Sequence, residues 1–235
     1  MSTKKNLVVI IGGFAGEITA YADEISALEK SGKTVLFFNP KGTIQEKMGS
    51  VYAETKNLGE IDLVGFSEGA IVATKLATEL QIRRLILVNP AGLIGKDSVA
   101  VLICRFIRQV IEEEMHALNC ALHLNFNPLR VLTRVELEFL KNCLCNPHLW
   151  QELSEITQAR IESSLYDLKK GRVEIILISA KSDRIFPEER IAKVLKEFHP
   201  VEWIKWVNFV EKDASHNASF LKEPGVLRQI LAGEN

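Results

Sequence analysis

The sequence predicts an α/β domain, a parallel doubly wound sheet interrupted by a helical insertion. Three observations predict it. Short apolar runs rich in β-branched residues alternate with segments of helical spacing, from Leu7 to Val88 and again from Val173 onward, the rhythm of a parallel sheet with helices on both faces. The runs are continuous rather than alternating, as befits strands buried on both sides. Between Leu93 and Tyr166 only helical periodicities occur.

The elements follow in order. Leu7-Val-Val-Ile-Ile11 reads as a buried strand ended by Gly12-Gly-Phe-Ala-Gly16. Ile18, Tyr21, Ala22, Ile25 and Leu28 then mark one face of a helix, with Gly32 as its stop. A strand at Thr34 to Phe38, a loop at Asn39-Pro-Lys-Gly42 and a helix over Ile44 to Lys56 come next. Ile61 to Val64 form a strand, and Leu85 to Val88 another. In the insertion, helical spacing covers Val101 to Leu118, Pro128 to Leu140 and Leu149 to Leu168, with Pro128 and Pro147 as breaks. A strand at Val173 to Ile178, a helix at Pro187 to Phe198, a strand at Trp203 to Val210 and a helix over Ser215 to Leu231 complete the chain. The expected organisation is a core of residues 1–92 and 170–235 and a helical cap of residues 93–169, whose last helix is shared with the core. An insertion there lies over the carboxyl ends of the strands, where open α/β sheets bind ligands. The alternative is a set of helices packed on the flank of the sheet.

Between the strand at Ile61 and the next helical run lies Gly65-Phe-Ser67-Glu-Gly69, a G-x-S-x-G placed at a strand–turn–helix junction. Such a turn holds a serine in a strained conformation with its hydroxyl exposed above the sheet. Glycines two residues either side relieve crowding where strand and helix backbones cross. A serine hydroxyl needs a base, and the base needs an orienting acid. Asp183 follows the Val173–Ile178 strand and His216 follows the Trp203–Val210 strand, acid before histidine. Asp213, in the histidine loop, is the rival acid. His116, His123 and His148 fall in the insertion, and His199 precedes a strand at its amino end. Asp62, Glu174 and Glu202 read as solvated flank or strand-start residues. For the oxyanion hole the candidates are the backbone N–H of Glu68, at a helix start, and one from Gly12-Gly13-Phe14 after the first strand. The Gly12–Gly16 loop lacks the G-x-G-x-x-G spacing and a P-loop lysine, which argues against nucleotide binding.

Together these segments resemble the α/β-hydrolase superfamily. Gly12-Gly-Phe14-Ala-Gly16 looks like its H-G-aromatic-x-G loop, and the resemblance makes Phe14 the second oxyanion amide. Gly65-Phe-Ser67-Glu-Gly69 matches its nucleophile elbow, Asp183-Arg-Ile-Phe-Pro187 its acid loop, and Ser215-His216 with Lys222-Glu-Pro224 its histidine loop. An insertion at this place is commonly a lid in that family. Three departures stand out. Gly12 replaces a histidine, which is expected to loosen the first loop; the two antiparallel strands that open the family sheet are missing; and Glu68 is an uncommon elbow residue. Its carboxylate either favours the positive end of the helix or faces the pocket and discourages anionic substrates.

The resemblance implies a serine hydrolase acting on a carboxylic ester or thioester of a small to medium apolar acyl group. Carbon–carbon bond hydrolysis or acyl transfer on the same triad, and a non-catalytic binding role, stay open. No cofactor is expected. With 29 basic and 30 acidic residues the formal net charge is −1, which gives no reason to expect nucleic acid or an anionic membrane as partner. Cys104, Cys120, Cys143 and Cys145 lack zinc-site spacing and are expected to be reduced thiols, consistent with a cytoplasmic location. The apolar run near Leu7 is broken by Gly12-Gly13 and Glu17, so it does not read as a secretory signal. No stretch reaches the ~18 uncharged apolar residues of a membrane span.

Overall fold

The computed structural model describes residues 7–14, 16, 18–109, 112, 145–180, 183–198, 205–209 and 225–233. Its centre is a six-stranded parallel sheet of β1 (Leu7–Ile11), β2 (Thr34–Phe38), β3 (Ile61–Phe66), β4 (Ile82–Val88), β5 (Glu174–Ala180) and β6 (Lys205–Phe209). The strand order is β2-β1-β3-β4-β5-β6. Order reverses after β2, so the carboxyl ends of β1 and β3 adjoin at the switch point where such sheets open a crevice. Ile11 pairs with Gly65 and Phe66 with Val88, which brings the ends of β1, β3 and β4 to one level.

Both faces of the sheet are covered. Val9, Ile11, Leu63, Leu85, Leu87, Ile175 and Leu177 pack on one side against α2 (Ile44–Thr55) and α3 (Gly69–Ala77). Helices α5 (Leu149–Gln158), α6 (Glu162–Lys170) and α7 (Glu188–Phe198) join that layer through Ile156, Ile161, Leu165, Ile191 and Leu195. Val8, Ile10, Val64, Ile86, Val88, Ile176 and Ile178 face α1 (Ala22–Lys30) and α8 (Val226–Ala232) on the other. Each fully buried aliphatic side chain of this kind is worth roughly 1.5–3 kcal/mol. That is why these strands read as unbroken apolar runs.

The described part of the insertion between β4 and β5 carries three helices and turns: residues 99–109 form helix α4, then come α5 and α6. The expected helices within 113–144, and the segment 215–224 of the last one, lie outside the described residues. Three boundaries and the setting of one residue differ from expectation. The helix expected from Ile18 opens as a 3-10 turn, Ile18–Tyr21, before α1 begins at Ala22. Strand β4 starts at Ile82, three residues early, because pairing with β3 carries the polar Arg83 and Arg84 into the sheet. The single helix expected over Leu149 to Leu168 is two, broken at Ala159, whose φ of −58° and ψ of 144° leave the helical region. No proline or glycine signals that break. Tertiary packing makes it: the Ile161 N–H donates to Gly92 O at 3.4 Å and its side chain is buried against Gly92. Finally, Asp62 is not a solvated strand-start residue. It is fully buried and accepts from Arg83 Nε at 2.8 Å and from Arg84 Nε and Nη2 at 3.0 Å each.

Candidate active site

Ser67 sits between β3 and α3 with φ of +51°, one of three non-glycine residues at positive φ among the described residues. A serine in that region costs on the order of 1–3 kcal/mol and persists only when its surroundings fix it. Four hydrogen bonds bear on the turn. Ser67 N–H donates to Val88 O at 2.9 Å, and Ser67 O accepts from Ala70 and Ala91 N–H at 3.1 and 3.0 Å. Ile71 N–H donates to Glu68 O at 2.9 Å, opening α3.

The flanking glycines are sterically required. A Cβ on Gly65 would lie 2.6 Å from Gly69 O and 2.7 Å from Ala70 Cα, and one on Gly69 would lie 2.5 Å from Ile11 O. These are backbone atoms and cannot swing away. Gly13, after β1, approaches the serine itself: its Cβ would stand 2.9 Å from Ser67 Cβ and 3.5 Å from Oγ. The loop carrying Phe14 is therefore in van der Waals contact with the serine turn.

That loop is held, not loose. Gly12 N–H donates to Phe38 O at 2.9 Å, Gly13 N–H donates to Tyr21 Oη at 2.9 Å, and Asn39 Nδ2 donates to Gly16 O. A side chain at position 12 would be tight, because its Cβ would meet the Asn39 Cγ and Phe37 Cζ side-chain atoms at 3.1 Å. Asn39 and Phe37 fill the place where the resemblance expects a histidine. Tyr21 packs its ring on Phe37 and Phe66 with centroids 5.0 and 4.8 Å away. Burial pushes its hydroxyl up to about 12, with the Gly13 N–H pulling down and Glu68 adding to the rise, so it stays protonated.

Asp183 follows β5 at the same edge and is 3% exposed. Its Oδ1 accepts from Ile185 and Phe186 N–H at 2.8 and 2.9 Å, and its own N–H donates to Ala180 O at 3.1 Å. The acid loop is fixed from two directions. Asn89, at φ +43°, donates its N–H to Ile178 O at 2.7 Å and accepts from Ala180 N–H through Oδ1 at 2.7 Å, clasping β4 to β5. From α4, the buried Gln109 accepts Arg184 N–H at 2.9 Å. Asp97 adds a bridge from the segment before α4, to Arg105 at 2.5 Å and Arg190 of α7 at 2.8 Å.

His216 and its rival acid Asp213 lie outside the described residues, as do His116, His123, His199 and Glu202. His148 is an exposed residue at the start of α5, and Glu174 is exposed at the start of β5. The structure thus brings Ser67, Phe14, Glu68 and Asp183 to one edge of the sheet.

The Glu68 side chain has a partner that neither expectation named. Its carboxylate turns into the protein, 1% exposed, and takes both oxygens to Lys47 Nζ at 2.9 and 2.7 Å. Lys47 also reaches Glu152 Oε2 of α5 at 3.3 Å. Lys47, Glu152 and Tyr21 were not legible as site residues. For Lys47 a signal existed: it falls on the apolar stripe of α2 with Ile44, Met48, Val51 and Thr55, all buried. A lysine there needs a buried partner.

Among the described residues no group of three His, Cys, Asp or Glu could hold a metal ion, and no helix is long and apolar enough to cross a membrane. Cys104 and Cys145 are exposed free thiols.

No protein-family model matches the chain, and no curated protein does. Solved structures do. A carboxylesterase of the thaumarchaeon Nitrososphaera gargenis is similar over 99% of this chain and 91% of its own, with TM-score 0.69 and 17% identity. A bromoperoxidase from Bacillus anthracis has TM-score 0.69 at 15% identity, covering 97% of this chain and 92% of its own. The enol-lactonase from Burkholderia xenovorans LB400 has TM-score 0.63 at 20% identity, covering 97% and 90%. The chain has the α/β-hydrolase fold.

Proposed function

We propose that this chain is a serine hydrolase that cleaves a carboxylic ester or thioester through an acyl-enzyme. The observation that carries the reading is the strained Ser67, φ +51°, with the Gly13 loop packed against its Cβ. A strained turn whose flanking glycines leave no room for a Cβ serves to expose a hydroxyl, and strain of this sort clusters at catalytic centres.

In this reading Ser67 Oγ attacks the carbonyl carbon while His216 takes its proton. The oxyanion that forms is held by the backbone N–H groups of Phe14 and Glu68. His216 then protonates the leaving alcohol or thiol, and a water deprotonated by His216 releases the acid and restores Ser67. Asp183 orients His216. Its buried carboxylate, fixed by two backbone N–H groups, supports that role over Asp213, since an orienting acid must itself be immobile. Residues 93–169 are the insertion on a core of 1–92 and 170–235; α5 and α6 pack on the flank of the sheet, and the cap over the site falls to the earlier part of the insertion. The Leu, Phe and Val content of that segment favours a small to medium apolar acyl group.

Hydrolysis of p-nitrophenyl esters from acetate to octanoate tests this. The wild type is expected to turn over the short to medium chains. Ser67→Ala and Asp183→Asn are expected to lose on the order of 10⁴-fold in kcat, with Asp213→Asn close to wild type. Inactivation by Asp213→Asn with Asp183→Asn active would transfer the acid role. Background turnover of every ester by a wild type that still forms a Ser67 adduct would point to carbon–carbon hydrolysis or acyl transfer.

A further inference from the structure

The carboxylate next to the nucleophile has no part in the chemistry above, yet both its oxygens are engaged by a buried lysine. Lys47 of α2 reaches both Glu68 and Glu152 of α5, and all three are at most 5% exposed. The other Glu152 oxygen accepts Gly42 N–H at 3.2 Å, and Glu155 accepts Ile44 N–H at 2.7 Å. Helix α5 thus sets two carboxylates on the amino end of α2, where free N–H groups and the helix dipole favour negative charge. One lysine faces two carboxylates in a buried setting.

Stability does not explain that arrangement. Buried ion clusters are commonly no better than well-packed apolar side chains of the same volume. Position does. The Glu68 N–H and the Ser67 carbonyl share one rigid peptide plane. Ala70 and Ala91 N–H groups hold the carbonyl end of that plane, and the bidentate contact to Lys47 holds the Glu68 side of it. Together they leave the Glu68 N–H one direction to point.

We propose that Lys47, the Glu68 carboxylate and Glu152 are positioning residues that fix the Glu68 amide on the oxyanion, so that α2 and α5 are mechanically part of the oxyanion hole. The inference rests on the hydrolase reading. Burial pushes the Glu68 carboxyl up to about 7, with Lys47 opposing and Glu152 and Glu155 adding to the rise. Tyr21, from the turn before α1, feels the Glu68 charge in its turn. A protonated Glu68 offers Lys47 one acceptor fewer, so the hold weakens as pH falls through that range.

The test uses the full chain, a p-nitrophenyl ester that the wild type cleaves, and a fluorophosphonate probe. Glu68→Gln and Lys47→Met are expected to lower kcat by about 10–100-fold with KM within about twofold, the loss set by a misdirected oxyanion donor. The labelling rate of Ser67 is expected to fall in parallel, and Lys47→Arg to restore most of it. The kcat–pH profile should show two ionisations in the wild type and one in Glu68→Gln. Where Lys47→Met does not fold, Glu152→Gln carries the test, with kcat lowered about 3–10-fold and the profile displaced. Folded variants that keep the wild-type kcat, labelling rate and pH profile overturn the inference alone. A wild type that is never labelled overturns the hydrolase reading and the inference with it.

Discussion

Two buried ionic clusters stand at opposite edges of the same sheet, and they are built in opposite ways. At the amino edge one carboxylate, Asp62, faces two arginines, and Arg84 extends on to Leu231 O at 3.0 Å. Arg83 is 29% exposed at its side chain, so water shares the cost of its charge. At the carboxyl edge, beside Ser67, one lysine faces two carboxylates and the side chains are 7% exposed or less. Burial raises the Asp62 carboxyl, but the hydrogen bonds and charges of Arg83 and Arg84 outweigh it and leave it below its ordinary value. For Glu68 burial wins. The first cluster is a satisfied fastening of β3, β4 and α8. The second keeps a carboxylate where it is electrostatically uncomfortable, which a fold does only where position matters more than stability.

The contrast can be broken by removing one cation from each cluster. Lys47→Met leaves two buried carboxylates without a counter-charge and is expected to cost about 3–5 kcal/mol. Arg83→Met leaves Asp62 paired with Arg84 and is expected to cost about 1 kcal/mol. Urea midpoints of the two variants measure the difference, and equal losses would erase the distinction between the clusters.

A smaller effect tests whether the carboxyl edge is held as tightly in its backbone as in its charges. Gly69→Ala puts a Cβ into Ile11 O and is expected to cost about 3 kcal/mol, the upper end of overpacking. Gly49, exposed on α2 with nothing within 4 Å of a Cβ, should instead gain roughly 0.5–1 kcal/mol as alanine. Opposite signs in thermal melts are the expected outcome.

The smallest effect is one of sign with pH. Glu68 holds its proton to about 7 in the folded chain against 4.5 ordinarily. Between those values the folded state binds more protons than the unfolded chain. Its contribution is therefore full below about pH 4.5 and lost as pH rises through 7. Asp62, with its carboxyl lowered from 3.8, does the reverse: its contribution is present above that value and lost as pH falls through the depressed one. Melting temperature against pH should flatten between about pH 5 and 7 in Glu68→Gln and below about pH 4 in Asp62→Asn. A slope near neutrality that Glu68→Gln leaves intact would contradict the assignment.

The same two edges show what the sequence makes legible. Strands at Leu7, Ile61 and Val173 announce themselves because a parallel sheet buried on both faces demands apolar, β-branched runs, and the edge strand at Thr34 by the apolar run Val35–Phe38. The Gly65-x-Ser67-x-Gly69 turn is legible because its glycines answer a purely local crowding of strand and helix. The location of Asp183 at the carboxyl edge is legible because it follows a strand. What stayed hidden is long-range. Glu68 meets partners 21 and, through Lys47, 105 residues away from that lysine, and Asp62 reads as solvated until β4 lays two arginines beside it. The break between α5 and α6 likewise depends on Gly92, far off in the chain. Tyr21 reads as an apolar face residue, while its hydroxyl supplies the acceptor for Gly13.

Ser67 as the nucleophile is the claim on which the rest depends, and one measurement addresses it directly. The folded protein is incubated with a fluorophosphonate, and the adduct is located by intact mass and peptide mapping. A single stoichiometric phosphonyl group on Ser67, lost in Ser67→Ala, is the predicted result. A folded protein that takes up none, or carries it on another residue, would contradict the account.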